Sequence, residues 1–153
     1  MTSSKKPYVP AKTPSKGKRA GTEKFSELCR RRSTWGFTNL GTWVVRDIRN
    51  KPGVMSQHAA GLALDLQYSD RAMCLKALDW LIANSDELGI ALVNDYMGGG
   101  KYGRTWICNR AAWKVHTTNT IGIRGNWIHL ELHKKFADDP VLVSKNWRGI
   151  PRP

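Results

Sequence analysis

Residues 56–66 read SQHAAGLALDL and place a histidine, a glycine and an aspartate in one short stretch. His58 and Asp65 are metal-ligating types, yet seven residues of straight strand would part them by roughly 23 Å and two helical turns by about 10 Å. A metal ion holds its ligand atoms about 2 Å away. The two can share an ion only where the chain bends between them, and Gly61 is the residue able to allow that bend. A second group lies in WIHLELH, residues 127–133. Taken as a strand, it puts Trp127, His129, Glu131 and His133 on one face and Ile128, Leu130 and Leu132 on the other. The second face is core. The first is costly to bury unless it is a site or is solvated. In LALDL, Asp65 shares its face with the small Ala63, which leaves room beside the carboxylate. His133 would lie about 13 Å along the strand from His129 and cannot share an ion with it; it and His116 read as surface histidines.

Two neutral histidines and one aspartate leave a bound Zn²⁺ with net charge +1 and an open fourth position, the pattern of a catalytic zinc. Water bound there is acidified to a pKa of about 7 and can attack a carbonyl. Non-haem iron takes the same ligand types. Its sites usually place a His-x-carboxylate pair first and a distant histidine later, whereas here the HLE pair comes last, which ranks iron below zinc.

The elements that must position these groups are legible in part. The chain has 153 residues, enough for one domain with a real core. FSELCRRR, from Phe25, predicts a short helix; TWVVRDI, from residue 43, a weak strand; LALDL a short buried strand. Ser69 or Asp70 caps a helix over 71–87, with Leu75, Leu78, Leu81 and Ile82 on one face and Gly89 closing it. IALVND predicts a strand, MGGGKYG a turn, and RTWIC a strand pairing back on it. The expected class is α+β: a small antiparallel sheet with one long helix, carrying a zinc site, plus an extended basic N-terminal arm. The expected boundaries are an arm over 1–24, a domain over 25–140 and an irregular tail over 141–153.

A net charge of +13 and a pI near 10.1 point to a polyanionic neighbour: nucleic acid, anionic cell wall or an acidic protein surface. Cys29, Cys74 and Cys108 cannot all pair within the chain and read as reduced core thiols. No apolar run approaches 18 residues, so no membrane span is expected. The start, MTSSKKPYVPAK, lacks the apolar segment of a signal peptide. Residues 1–24 hold seven lysines and arginines against one acid, Glu23, a composition that does not fold alone. They are expected to dock on an acidic surface of another protein.

With these residues in view, Ser56-x-His58-x-x-Gly61-x-Ala63-x-Asp65, followed by Trp127-x-His129-x-Glu131, resembles the zinc D-Ala-D-Ala carboxypeptidase and L-Ala-D-Glu endopeptidase family, which includes many phage cell-wall peptidases. The resemblance covers roughly residues 40–135. It implies His58, Asp65 and His129 as Zn²⁺ ligands, with Ser56 steadying the motif loop, and hydrolysis of a peptide bond in peptidoglycan stems. Members commonly carry an acidic general base three positions before the last histidine. Here that position is Asn126, which cannot take a proton. Glu131 and Asp95 are the substitutes. Arg46 and Arg49 are candidates for binding a substrate carboxylate, and Ser56 and Trp127 for lining the substrate site.

The leading expectation is a virion-associated zinc peptidase acting on bacterial peptidoglycan, a phage minor tail protein that meets other virion proteins through residues 1–24. The alternative keeps the fold with a degenerate site, as a virion structural or wall-binding module, and Asn126 supports it. Nucleic-acid binding ranks third, because the arm has one aromatic residue, Tyr8, and no known module.

Overall fold

The computed structural model describes residues 4–32, 34–48 and 51–152. Its centre is a six-stranded, wholly antiparallel sheet in the order β1-β4-β8-β5-β6-β7. The strands are β1 (Thr38–Gly41), β4 (Ala63–Gln67), β5 (Ile90–Asp95), β6 (Arg104–Ile107), β7 (Ala112–Val115) and β8 (Trp127–Leu132), and β2 (Asp47–Ile48) and β3 (Lys51–Met55) form a separate hairpin. The alternation read from β8 holds: Ile128, Leu130 and Leu132 are buried with Leu64, Leu66 and Val93 of the neighbouring strands. Among the described residues there are five helices, which pack on one another and on the sheet: α1 (Ala20–Arg31), α2 (Arg71–Ala83), α3 (Ser85–Leu88), α4 (Lys134–Ala137) and α5 (Pro140–Gly149). The α+β class stands, with several helices in place of one. None of them carries the histidines and aspartate singled out above, which sit on β4, β8 and a 3-10 turn at Gln57–Ala60.

The predicted helix over 71–87 is two helices. Asp70 caps the first by accepting from the Met73 amide, and Asn84 leaves helical geometry at φ −111°, ψ 20° before α3 begins. The buried face is Cys74, Ala77, Leu78 and Leu81, while Leu75 stays exposed. Gly89 ends α3 in the left-handed region, and the Phe136 ring occupies the space where a Cβ would stand. The strand expected from residue 43 is mostly absent. Val44 and Val45 are exposed, so β-branched composition alone, with no sheet face to cover, does not hold a strand there.

Two corrections concern the ends. Residues 140–149 are helical rather than an irregular tail: Asp139 caps the helix through the Leu142 amide, Pro140 opens it, and Val143 and Trp147 sink into the core. Trp147 meets Phe25 of α1 edge-on at 5.7 Å between centroids, and the Arg32 guanidinium covers Trp35, Trp80 and Trp147 within 5.6 Å. At the other end, the helix expected from Phe25 starts at Ala20. The arm before it, expected to cross another protein, lies on its own domain. The Lys6 amide donates to Cys108 O, Ala11 makes a two-way bond with the Gln57 side chain, the Ser15 amide donates to Ala59 O, and Arg19 Nε donates to Ala60 O. Backbone bonds to a ready surface order a segment whose composition cannot build a core of its own. No helix among the described residues is long and apolar enough to cross a membrane.

Candidate metal centre

The bend required between His58 and Asp65 is present. The Ser56 hydroxyl accepts from the His58 amide and starts a single 3-10 turn, and Gly61 ends it at φ +71° before β4 begins. A Cβ on Gly61 would stand 2.9 Å from Arg19 Cγ, so both the dihedral and the space call for glycine. The turn folds His58 back over the strand that carries Asp65.

Sheet register supplies the rest. Asp65 of β4 lies directly opposite His129 of β8, His129 opposite Asn94 of β5, and Asn94 opposite Thr105 of β6. Directly paired residues project from the same face with Cβ atoms about 5 Å apart, so this row forms a continuous polar strip across four strands. One ligand atom each from His58, Asp65 and His129 falls within 4.8 Å of the others, a group able to hold a metal ion. His129 Nδ1 is 3.0 Å from Asp65 Oδ1, and His58 Nε2 is 3.1 Å from Asp65 Oδ2. His58 Nε2 is out of line for a hydrogen bond to that oxygen and is buried without any other partner. A buried polar nitrogen left unpaired costs about 1–3 kcal/mol, and a cation between it and the carboxylate removes that cost. The donor set, two imidazoles and one carboxylate, is that of a divalent transition metal with an open coordination position.

Electrostatics agree with the geometry. Burial works to raise the pKa of Asp65, but the imidazoles of His129 and His58 outweigh it and hold the carboxyl well below the usual carboxylate range. Burial works to lower that of His129, and its bonds to Asp65 and Glu131 overcome this and raise it well above the usual imidazole value. His129 is thus held between two carboxylates by attraction that a bound cation would replace on its Asp65 side.

Both oxygens of Glu131 already have partners. Its Oε2 accepts from His129 Nε2 at 2.8 Å, and its Oε1 accepts from the Tyr8 hydroxyl, so both oxygens are engaged on a residue 8% exposed. That is the position of a carboxylate that orients a ligating histidine. Asp95, the other substitute, is on the wrong side of the sheet. It follows Asn94 by one residue, so it points into the helix layer, where it is fully buried and binds Arg71 through both oxygens (2.7 and 2.8 Å) and Arg104 Nε (2.9 Å).

The centre opens on a cleft of about 820 Å³. Ser56, Trp127 and Arg46 line it, as do apolar walls from Leu40, Ile48, Val54 and Ile121. Arg49 lies outside the described residues. Asn126 is exposed and does not line the cleft; its carbonyl accepts from the Tyr68 amide. His133 caps α4 away from the cleft, whereas His116, read as a surface residue, lines it and bonds Thr105 Oγ1 through Nε2 at 2.6 Å. Two residues escaped the sequence reading. Tyr96 lines the cleft against Trp127 at 5.9 Å between centroids, and burial raises its pKa so that it stays a donor. Tyr8 reaches in from the arm, and burial, then the Glu131 charge, keeps it protonated. An aromatic residue just past a strand, two positions beyond Asn94, was a weak signal for the first. Nothing local marked the second.

No family model matches this chain, and no curated protein or solved structure is significantly similar to it.

Proposed function

We propose that this chain is a zinc-dependent peptidase that hydrolyses peptide bonds of bacterial peptidoglycan and is carried in a phage virion. The observation that carries the reading is the convergence of His58, Asp65 and His129 within 4.8 Å on the wall of a substrate-sized cleft. The motif spacing that resembles wall peptidases supports it. Zinc, when bound, acidifies a water molecule and polarises a carbonyl oxygen. The chain's own groups do the remainder. Glu131 fixes the His129 ring through Nε2 and leaves Nδ1 facing Asp65. Arg46, on the cleft wall, offers a planar fork for a stem-peptide carboxylate, and the apolar side chains opposite suit alanine methyl groups. Tyr96 and His116 are among the cleft's neutral hydrogen-bond donors. The excess positive charge favours approach to anionic wall polymers. The arm, committed to its own domain, lends no support to an assembly role, so the virion setting rests on the motif resemblance.

A second reading has its own observation. Apart from Asp65 and Glu131, no acidic side chain lines the cleft among the described residues, and both of these are engaged. A wall-binding module with a metal-stabilised fold meets that description. Release of soluble fragments from purified peptidoglycan separates the two. The peptidase reading expects zinc-dependent release that stops in His58→Ala and under chelation. It also expects Asn126→Asp to change the rate by far less than the about 10²–10⁴-fold that general-base help supplies, because residue 126 is outside the cleft. Binding to the wall with no release at any zinc concentration hands the case to the module.

A further inference from the structure

The segment before α1 runs along both halves of the metal centre. On one side, Ala11 clasps the side chain of Gln57, the neighbour of His58, and Ser15 and Arg19 bond the carbonyls of Ala59 and Ala60 in the same turn. On the other, the Tyr8 hydroxyl donates to Glu131 Oε1, and Glu131 Oε2 accepts from His129 Nε2. These contacts form a chain from the segment to a ligand. A tyrosine hydroxyl facing a carboxylate with no other acceptor gives its single proton to it, which fixes the carboxylate's orientation. The carboxylate favours a proton on Nε2 of His129, so Nδ1, which faces Asp65 Oδ1 at 3.0 Å, is the nitrogen left to a metal ion. The Tyr8 ring is partly buried against the apolar core, and its hydroxyl points to Glu131.

We propose that Tyr8 is a positioning residue of the metal centre, and that the N-terminal segment is a strap that preorganises the ligands. This rests on the metal-binding reading of His58, Asp65 and His129. It makes the strap part of the site: residues separated from His129 by more than a hundred positions set its tautomer and angle. Partners that orient a ligand through a hydrogen bond typically contribute 10–100-fold to metal affinity.

The test is zinc affinity by competition with a chromophoric chelator, together with the visible spectrum of the Co²⁺ form, for the full chain and for Tyr8→Phe, Glu131→Gln and the double variant. Tyr8→Phe keeps the ring and its packing, and folding is checked by circular dichroism of the metal-free proteins. The expected result is a dissociation constant raised about 10-fold or more in Tyr8→Phe. Glu131→Gln should be weakened at least as much, and the double variant no further, because the two side chains act through one path. A change in the Co²⁺ ligand-field bands should accompany the loss, which a purely structural role would not produce. Wild-type affinity in Tyr8→Phe, or losses that add in the double variant, would overturn the proposal while leaving the site intact. A wild type that takes up no metal removes the site itself, and the strap's role with it.

Discussion

His58→Ala is the sharpest perturbation of the centre, because its effect should change with the metal. Without metal, His58 Nε2 is buried and unpaired, a state that already costs about 1–3 kcal/mol. Truncating the ring removes that cost but also removes buried contact area and leaves a space beside Asp65. The two effects oppose each other, so the metal-free variant should melt close to the metal-free wild type. With zinc present at a hundred times its dissociation constant, a ligand bound only by the folded state adds about 2.7 kcal/mol. For a domain of this size each kcal/mol moves the melting temperature by about 2–4 °C, which gives a zinc-dependent rise of about 5–11 °C in the wild type. His58→Ala deletes one of three ligands and should lose most of that rise. Asp65→Asn should lose it as well. The assay is thermal unfolding with excess chelator and with zinc, followed by tryptophan fluorescence. A rise of equal size in His58→Ala would refute the reasoning, since zinc would then be acting elsewhere, for instance at His116 or His133.

The remaining expectations test the frame that positions the site. Gly61→Ala forces a left-handed residue to carry a Cβ 2.9 Å from Arg19, so it should cost about 1–2 kcal/mol in urea unfolding and weaken zinc uptake with it. Trp147→Ala should cost about 3–5 kcal/mol, the value of a large core aromatic; a change within 0.5 kcal/mol would mean that the C-terminal residues are the free tail their composition suggested. Burial works to raise the pKa of Asp95, but the Arg71 and Arg104 bonds overcome it, so the folded value lies below the unfolded one of about 3.9. Its contribution is therefore complete above that unfolded value and lost as pH falls from there through the folded one. The stability gap between wild type and Asp95→Asn should be about 3–5 kcal/mol at pH 7 and should shrink below pH 4, as urea midpoints at both pH values would show.

What was legible in the sequence was what alternation and local caps encode. WIHLELH and LALDL declared their faces, and with them came the side of the sheet on which Asp65 and His129 sit. Asp70 and Gly89 marked the ends of the long helical stretch, though not the break at Asn84, whose side chain bonds back to Trp80 O. Alternation in IALVND separates Asn94 from Asp95 but does not say which of them faces the site; the pairing of Asn94 with His129 decides that. What was not legible depended on contacts made at long range. Valines at 44 and 45 look like strand but find no partner surface, and KNWRGIPRP looks like a solvated tail until α1 presents Phe25 to Trp147. The arm is the sharpest instance. Its lysines, prolines and serines describe a chain unable to fold alone, and that inference was physically sound. The expectation that it docks on another protein left out its own domain as a docking surface. A segment with no core of its own needs only acceptors and donors already fixed in space, and residues 57–61 and 131 of the same chain supply them. Whether an arm reaches outward or folds home is decided by the surface it meets, and here that surface is the one that holds the ligands.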